Sequence, residues 1–149
     1  MNAQAIESGK PSGTVYVVDD DDAVRDGVSL LLQAFGWPVE SFASAGAFLD
    51  SYVPRDRQCL VLDLHMPGMH GAELEEQLRA HGNDIPVIIV TAYKEDPLIR
   101  RARAAGAKRV LTKPFNDAEL IESIETALGA RDDSGAGEVP SGAAASRAP

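Results

Sequence analysis

"VYVVDDDDAVR" occupies Val15–Arg25. Four aliphatic or aromatic residues, Val15–Val18, run straight into four aspartates, Asp19–Asp22. An apolar run without polar alternation is the mark of a strand buried on both faces. The stretch after the aspartates reads as a helix. Val24, Val28, Leu31, Leu32 and Phe35 fall at offsets 0, 4, 7, 8 and 11, one face of a helix that ends near Gly36. The fragment is therefore strand, acidic turn, helix, with Asp22 as the expected N-cap. Consecutive acids repel one another, so a buried segment that ends in them calls for a positive charge nearby.

The same unit recurs along the chain. Val39–Phe42 reads as a second strand, and Ser44 as the cap of a helix whose inner face is Ala45, Phe48, Leu49 and Tyr52. Cys59–Leu62 is a third strand ending at Asp63, followed by a Pro/Gly loop over 64–71 and a helix over 72–81 with Leu74 and Leu78 inward. Val87–Val90 is a fourth strand. Leu98, Ile99, Ala102 and Ala105 mark a helix closed by Gly106. Val110 and Leu111 mark a short fifth strand, and the last helix, starting after Asn116 or Asp117, buries Leu120, Ile121, Ile124 and Leu128. Five β–α units imply an α/β fold, a parallel sheet with helices on both faces.

Composition bounds the function. Of 149 residues, 44% are apolar and 25% charged, enough for one domain with a real core. The net charge of −9 argues against nucleic acid and against anionic membranes, both of which need Lys and Arg. Cys59 has no second cysteine to pair with, which suits a reducing compartment. No apolar run reaches membrane-spanning length, and Met1–Gly13 lacks the apolar stretch of a signal peptide. A cytoplasmic protein is expected. Residues 1–13 read as a disordered lead. From 129 to 149 the composition turns to Ala, Gly, Ser and Pro, too poor in large apolar residues to offset ordering entropy. The domain is placed at 14–128.

Parallel α/β sheets bind ligands at the carboxyl ends of their strands. Asp19 and Asp20 follow the first strand, Asp63 the third, Thr91 the fourth, and Lys113, then Pro114, the fifth. Singly, each is an ordinary turn or surface residue. Together they put three carboxylates, a hydroxyl and an ammonium in one cleft. Close carboxylates need a cation to stay ionised, and oxygen ligands without Cys or His suit a hard ion, Mg²⁺ or Mn²⁺. The set fits a phosphoryl group carried on a carboxylate. Asp63, alone between the acidic pair and the Thr/Lys side, is the expected nucleophile.

The blocks "VVDDDD", "VLDLHMPGMHG", "VTA" and "LTKPF" resemble, in order and spacing, those of response-regulator receiver domains over Thr14–Leu128. "SFASAGAFLD" resembles more narrowly the FixJ-type subfamily. The resemblance implies a (βα)5 doubly wound sheet of flavodoxin or CheY type, order 2-1-3-4-5. It implies Asp63 as phosphoacceptor, Asp20, Asp63 and the backbone carbonyl of His65 as metal ligands, and Asp19 acting through metal-bound water. It further implies that Thr91 meets the phosphoryl group, that Lys113 pairs with it, and that Lys113–Pro114 is a cis peptide. Pro67 and Gly71 fit the loop after the acceptor. The resemblance also implies that His65 and Tyr93, each two residues past a site residue, flank the phosphoryl group and affect the access of water, the plainer reading of His65 being an exposed loop histidine. His65, His70 and His81 make no convincing zinc set.

One position departs from the pattern. Many receivers carry Tyr or Phe three residues before the lysine, and that ring swings inward as the threonine moves. Here the position is Val110, which has no ring to move. The route of the signal is then expected through Ala92–Asp96 into the fourth helix.

The expected function is acceptance of a phosphoryl group on Asp63 from a sensor histidine kinase or phosphotransfer protein, followed by a conformational switch. The chemistry is autocatalytic, including autodephosphorylation, and the chain is not expected to be an enzyme. A downstream protein partner is implied without being identified. The face of helix four, strand five and helix five is the expected surface for output and for a homodimer if one forms. No helix-turn-helix pattern follows Leu128, which favours a stand-alone regulator over a receiver fragment of a FixJ-type DNA-binding transcription factor. A haloacid-dehalogenase-type phosphatase would carry a second Asp two residues after the nucleophile, where this chain has His65. A dinucleotide-binding enzyme would carry a Gly-rich loop after the first strand, where this chain has its acids.

Overall fold

Every expected strand forms. In the computed structural model, which describes residues 13–129, the strands are β1 Thr14–Val18, β2 Val39–Phe42, β3 Gln58–Asp63, β4 Val87–Thr91 and β5 Arg109–Thr112. They alternate with α1 Asp22–Ala34, α2 Ala45–Ser51, α3 Gly71–Ala80, α4 Pro97–Ala104 and α5 Asp117–Ala127. The sheet is parallel throughout, in the order β2-β1-β3-β4-β5. The expected lead and tail lie outside the described residues, apart from Gly13 and Gly129.

The period-2 pleat sorts the strand residues into two cores. Tyr16, Val18, Leu60, Leu62, Val87 and Ile89 pack with Phe48 of α2, Leu74 and Leu78 of α3 and Ala102 of α4. Val15, Val17, Cys59, Val61, Ile88 and Val90 pack on the other face with Val28 and Leu32 of α1 and Leu120, Ile121 and Ile124 of α5. Both faces of the central strands are thus dry, as their unbroken apolar runs required.

Three local expectations are corrected. The N-cap of α1 is Asp21, not Asp22: Asp21 has extended φ/ψ and its carboxylate accepts from Val24 N at 3.1 Å. Asp22 is already helical. Phe35 is 47% exposed and stacks on Trp37, which takes the buried seat at the helix end instead. Leu49 is exposed, because the two-turn α2 fills its inner face with Ala45 and Phe48.

Register aligns the strand ends. Val18 lies opposite Leu62, Asp63 opposite Val90, and Thr91 opposite Thr112. The residues that close β1, β3, β4 and β5 therefore come to one edge, astride the reversal of strand order between β1 and β3.

Candidate functional site

Asp63 ends β3 with its side chain buried, and Asp19, one step past β1, is buried beside it. Asp20 is exposed at the rim. One oxygen from each of Asp19, Asp20 and Asp63 can be chosen so that all three lie within 4.8 Å of one another, and no other His, Cys, Asp or Glu group among the described residues gathers in this way. Lys113, following β5, reaches in from the opposite side. Its Nζ donates to Asp19 Oδ2 at 3.2 Å and lies 3.4 Å from Asp63 Oδ1. The Lys113–Pro114 peptide is cis.

The electrostatics follow from burial. Burial, and then the charge of Asp19, push the Asp63 carboxyl up to about 6, against the pull of Lys113. Burial also works against the charge on Lys113, yet Asp63 and Asp19 together hold its ammonium above the ordinary range. Three ionised carboxylates and one ammonium leave two negative charges in the cleft. An oxygen-only donor set with that deficit fits a hard divalent cation.

The surrounding backbone is fixed by local bonds. Asp19 Oδ1 accepts from Asp21 N at 2.9 Å, and Arg25 donates from its guanidinium to Asp19 O at 2.8 Å. Thr91 is fully buried, and its hydroxyl oxygen accepts from Tyr93 N at 3.2 Å. In the loop after β3, Gly68 takes φ +80°, the left-handed region in which glycine is at ease. His65 stands half-exposed in that loop. Its Nε2 donates to Asp96 Oδ2, and its ring meets the Tyr93 ring edge-on at 5.7 Å.

Residues 15–125 match the family model described as the response regulator receiver domain. The chain belongs to the response-regulator receiver family. Among curated relatives it is 45% identical over 115 residues to the transcriptional regulatory protein FixJ of Azorhizobium caulinodans, covering 77% of this chain and 54% of that protein. It is 38% identical over 117 residues to the response regulator protein TodT of Pseudomonas putida, covering 78% and 52%. The chain thus spans about half the length of the curated relatives it matches. Among solved structures, it resembles the response regulator StyR, with a TM-score of 0.74 and 46% identity over 79% of this chain and 60% of that one. It resembles FixJ-N equally in shape, with a TM-score of 0.74 and 37% identity over 79% and 94%. The chemotaxis protein CheY4 of Vibrio cholerae follows at 0.70 and 28% over 78% and 99%.

The receiver fold brings Asp19, Asp20, Asp63 and Lys113 together as the strand-end reading expected, and sets Thr91 at the same edge through the β3–β4 register. Two participants escaped the sequence reading. Arg25 braces the Asp19 carbonyl from six residues away, within reach of a helix-periodicity argument. The partnership of His65 with Asp96 crosses 31 positions between two loops, and no local pattern announces it.

Proposed function

We propose that Asp63 accepts a phosphoryl group from the phosphohistidine of a sensor kinase or phosphotransfer protein. The P–N bond of the donor breaks as a carboxylate oxygen of Asp63 bonds to phosphorus, leaving a mixed anhydride. The observation that carries this reading is the buried Asp63 carboxylate held between Lys113 and the Asp19/Asp20 pair. Lys113 offsets charge on the phosphoryl oxygens, and Thr91 supplies a hydroxyl at the adjacent strand end. Asp20, Asp63 and the His65 carbonyl would hold Mg²⁺, or Mn²⁺, with Asp19 acting through its water. Bound there, the ion neutralises phosphoryl charge.

The chemistry is the domain's own: it accepts and later hydrolyses the anhydride, without turnover of a free substrate. A cytoplasmic setting is part of the same reading, supported by the unpaired buried Cys59. Among the described residues no helix is long and apolar enough to cross a membrane. The relatives named as transcriptional regulators favour, for the whole protein, an output on transcription.

The test is phosphotransfer from a cognate kinase carrying labelled phosphohistidine. Wild-type protein takes up label in Mg²⁺ and Asp63→Asn does not. Stoichiometric labelling of Asp63→Asn would overturn the assignment.

A further inference from the structure

Val110 is half-buried against the core on the α2–α4 side and carries no ring, so strand β5 offers no aromatic lever. Another connection leaves the site. His65 lies two residues past Asp63, and its Nε2 donates to Oδ2 of Asp96. The same carboxylate uses its other oxygen, Oδ1, to accept from Leu98 N at 2.8 Å, which makes Asp96 the N-cap of α4. Its side chain is only 7% exposed, whereas that of His65 is 48% exposed. One carboxylate therefore joins the loop after the acceptor to the first turn of α4. Tyr93 closes the circuit. Its ring meets His65 edge-on, and its backbone N–H donates to Thr91.

We propose that the His65–Asp96 pair is a strap that transmits a change at Asp63 to the amino end of α4. The strap rests on the assignment of Asp63 as phosphoacceptor. The loop carrying His65 begins at the acceptor, so ligands gathered on Asp63 move it. Asp96 cannot follow His65 without carrying the cap of α4 with it. Both residues are positioning residues, acting through the helix they tether.

The experiment is ¹⁵N NMR of the full chain in Mg²⁺, with and without beryllofluoride as an acyl-phosphate mimic. The variants are His65→Ala, Asp96→Ser and the pair together. Ser caps a helix about as well as Asp but is too short to reach His65, so α4 keeps its start. His65 is half-exposed, so its loss leaves the core intact. The strap predicts that each single variant loses roughly half or more of the beryllofluoride shift in α4 amides, while in Asp96→Ser the shifts beside Asp63 persist. The double variant loses no more than either single one, because both changes cut one connection. Wild-type α4 shifts in either single variant, or additive losses in the double, would overturn the strap. Absence of any beryllofluoride response beside Asp63 in the wild type would instead overturn the phosphoacceptor reading, and the strap with it.

Discussion

Gly71 opens α3 directly against the backbone of Asp63: a Cβ at Gly71 would lie 2.5 Å from the Asp63 carbonyl oxygen and 3.0 Å from Leu64 Cα. Neither neighbour can yield, because both are main chain at the end of a buried central strand. Gly71 N also donates to Leu64 O at 2.9 Å. The loop that carries His65 is thus clamped at both ends, and the clamp depends on a missing side chain.

Gly71→Ala is therefore expected to destabilise the domain by about 2 kcal/mol or more, against a gain of about 1 kcal/mol for an ordinary helical Gly-to-Ala change. Urea unfolding measures it. A stabilised Gly71→Ala would mean that the close approach is relaxed in solution.

Metal affinity should depend on Asp20 and hardly on Asp22. Asp20 offers an oxygen to the three-acid group, whereas Asp22 projects into solvent and pairs with Arg25. Titration with Mg²⁺ followed by amide shifts should show Asp20→Asn weakened by about tenfold or more and Asp22→Asn close to wild type. Equal losses would show that the acidic turn works as a diffuse charge patch.

Glu75 sets a pH dependence of stability. It is fully buried on α3, with Oε2 near Arg79 and Oε1 without a partner. Burial pushes its carboxyl up to about 7, against the opposing pull of Arg79. The folded state then holds this proton more tightly than the unfolded one. The associated stability is complete below the unfolded value, about 4.5, and is lost as pH rises through 7. Glu75→Gln should be more stable than wild type at pH 8, by at most roughly 3 kcal/mol, and the gap should close toward pH 5. Arg79 keeps its bonds to the Asn83, Ile85 and Ala105 carbonyls in that variant. Asp63 titrates in the same range, but it is present in both proteins and cancels in the difference. A gap independent of pH would exclude Glu75 as the source.

Thr91 should matter more than Val110 for the response of α4. Thr91→Ala removes the buried hydroxyl at the strand end and the acceptor for Tyr93 N, whereas Val110→Ala removes two methyl groups on β5. Beryllofluoride-induced amide shifts should be blunted most by Thr91→Ala and least by Val110→Ala. Loss of the response in Val110→Ala with an intact response in Thr91→Ala would place the route through β5.

The acidic edge was legible because the central strands β1, β3 and β4 are written as unbroken apolar runs, and β1, β3, β4 and β5 each lead into a chemically distinctive residue, whereas the strand order followed from the receiver resemblance. Asp63, Thr91 and Lys113 needed only the rule that such residues share one sheet edge. The errors were local. Asp21 and Asp22 are chemically identical, so choosing the cap required backbone angles. Phe35 and Leu49 fit a helical stripe, but the two-turn α2 leaves its flank open at Leu49, and Trp37 outcompeted Phe35 for the buried seat at the end of α1. The His65–Asp96 pair was illegible for a different reason. Nothing in either loop's composition encodes the partner, and only the fold brings positions 65 and 96 together.

Every role assigned in the cleft depends on Asp63 carrying the phosphoryl group. Borohydride reduction of the phosphorylated protein, followed by peptide mass spectrometry, reads this directly, since only an acyl phosphate is reduced to the alcohol. A reduced residue is expected at Asp63 alone, with Asp19 and Asp20 unaltered. Reduction at Asp19 or Asp20, or a stable phosphate retained elsewhere in the chain, would contradict it.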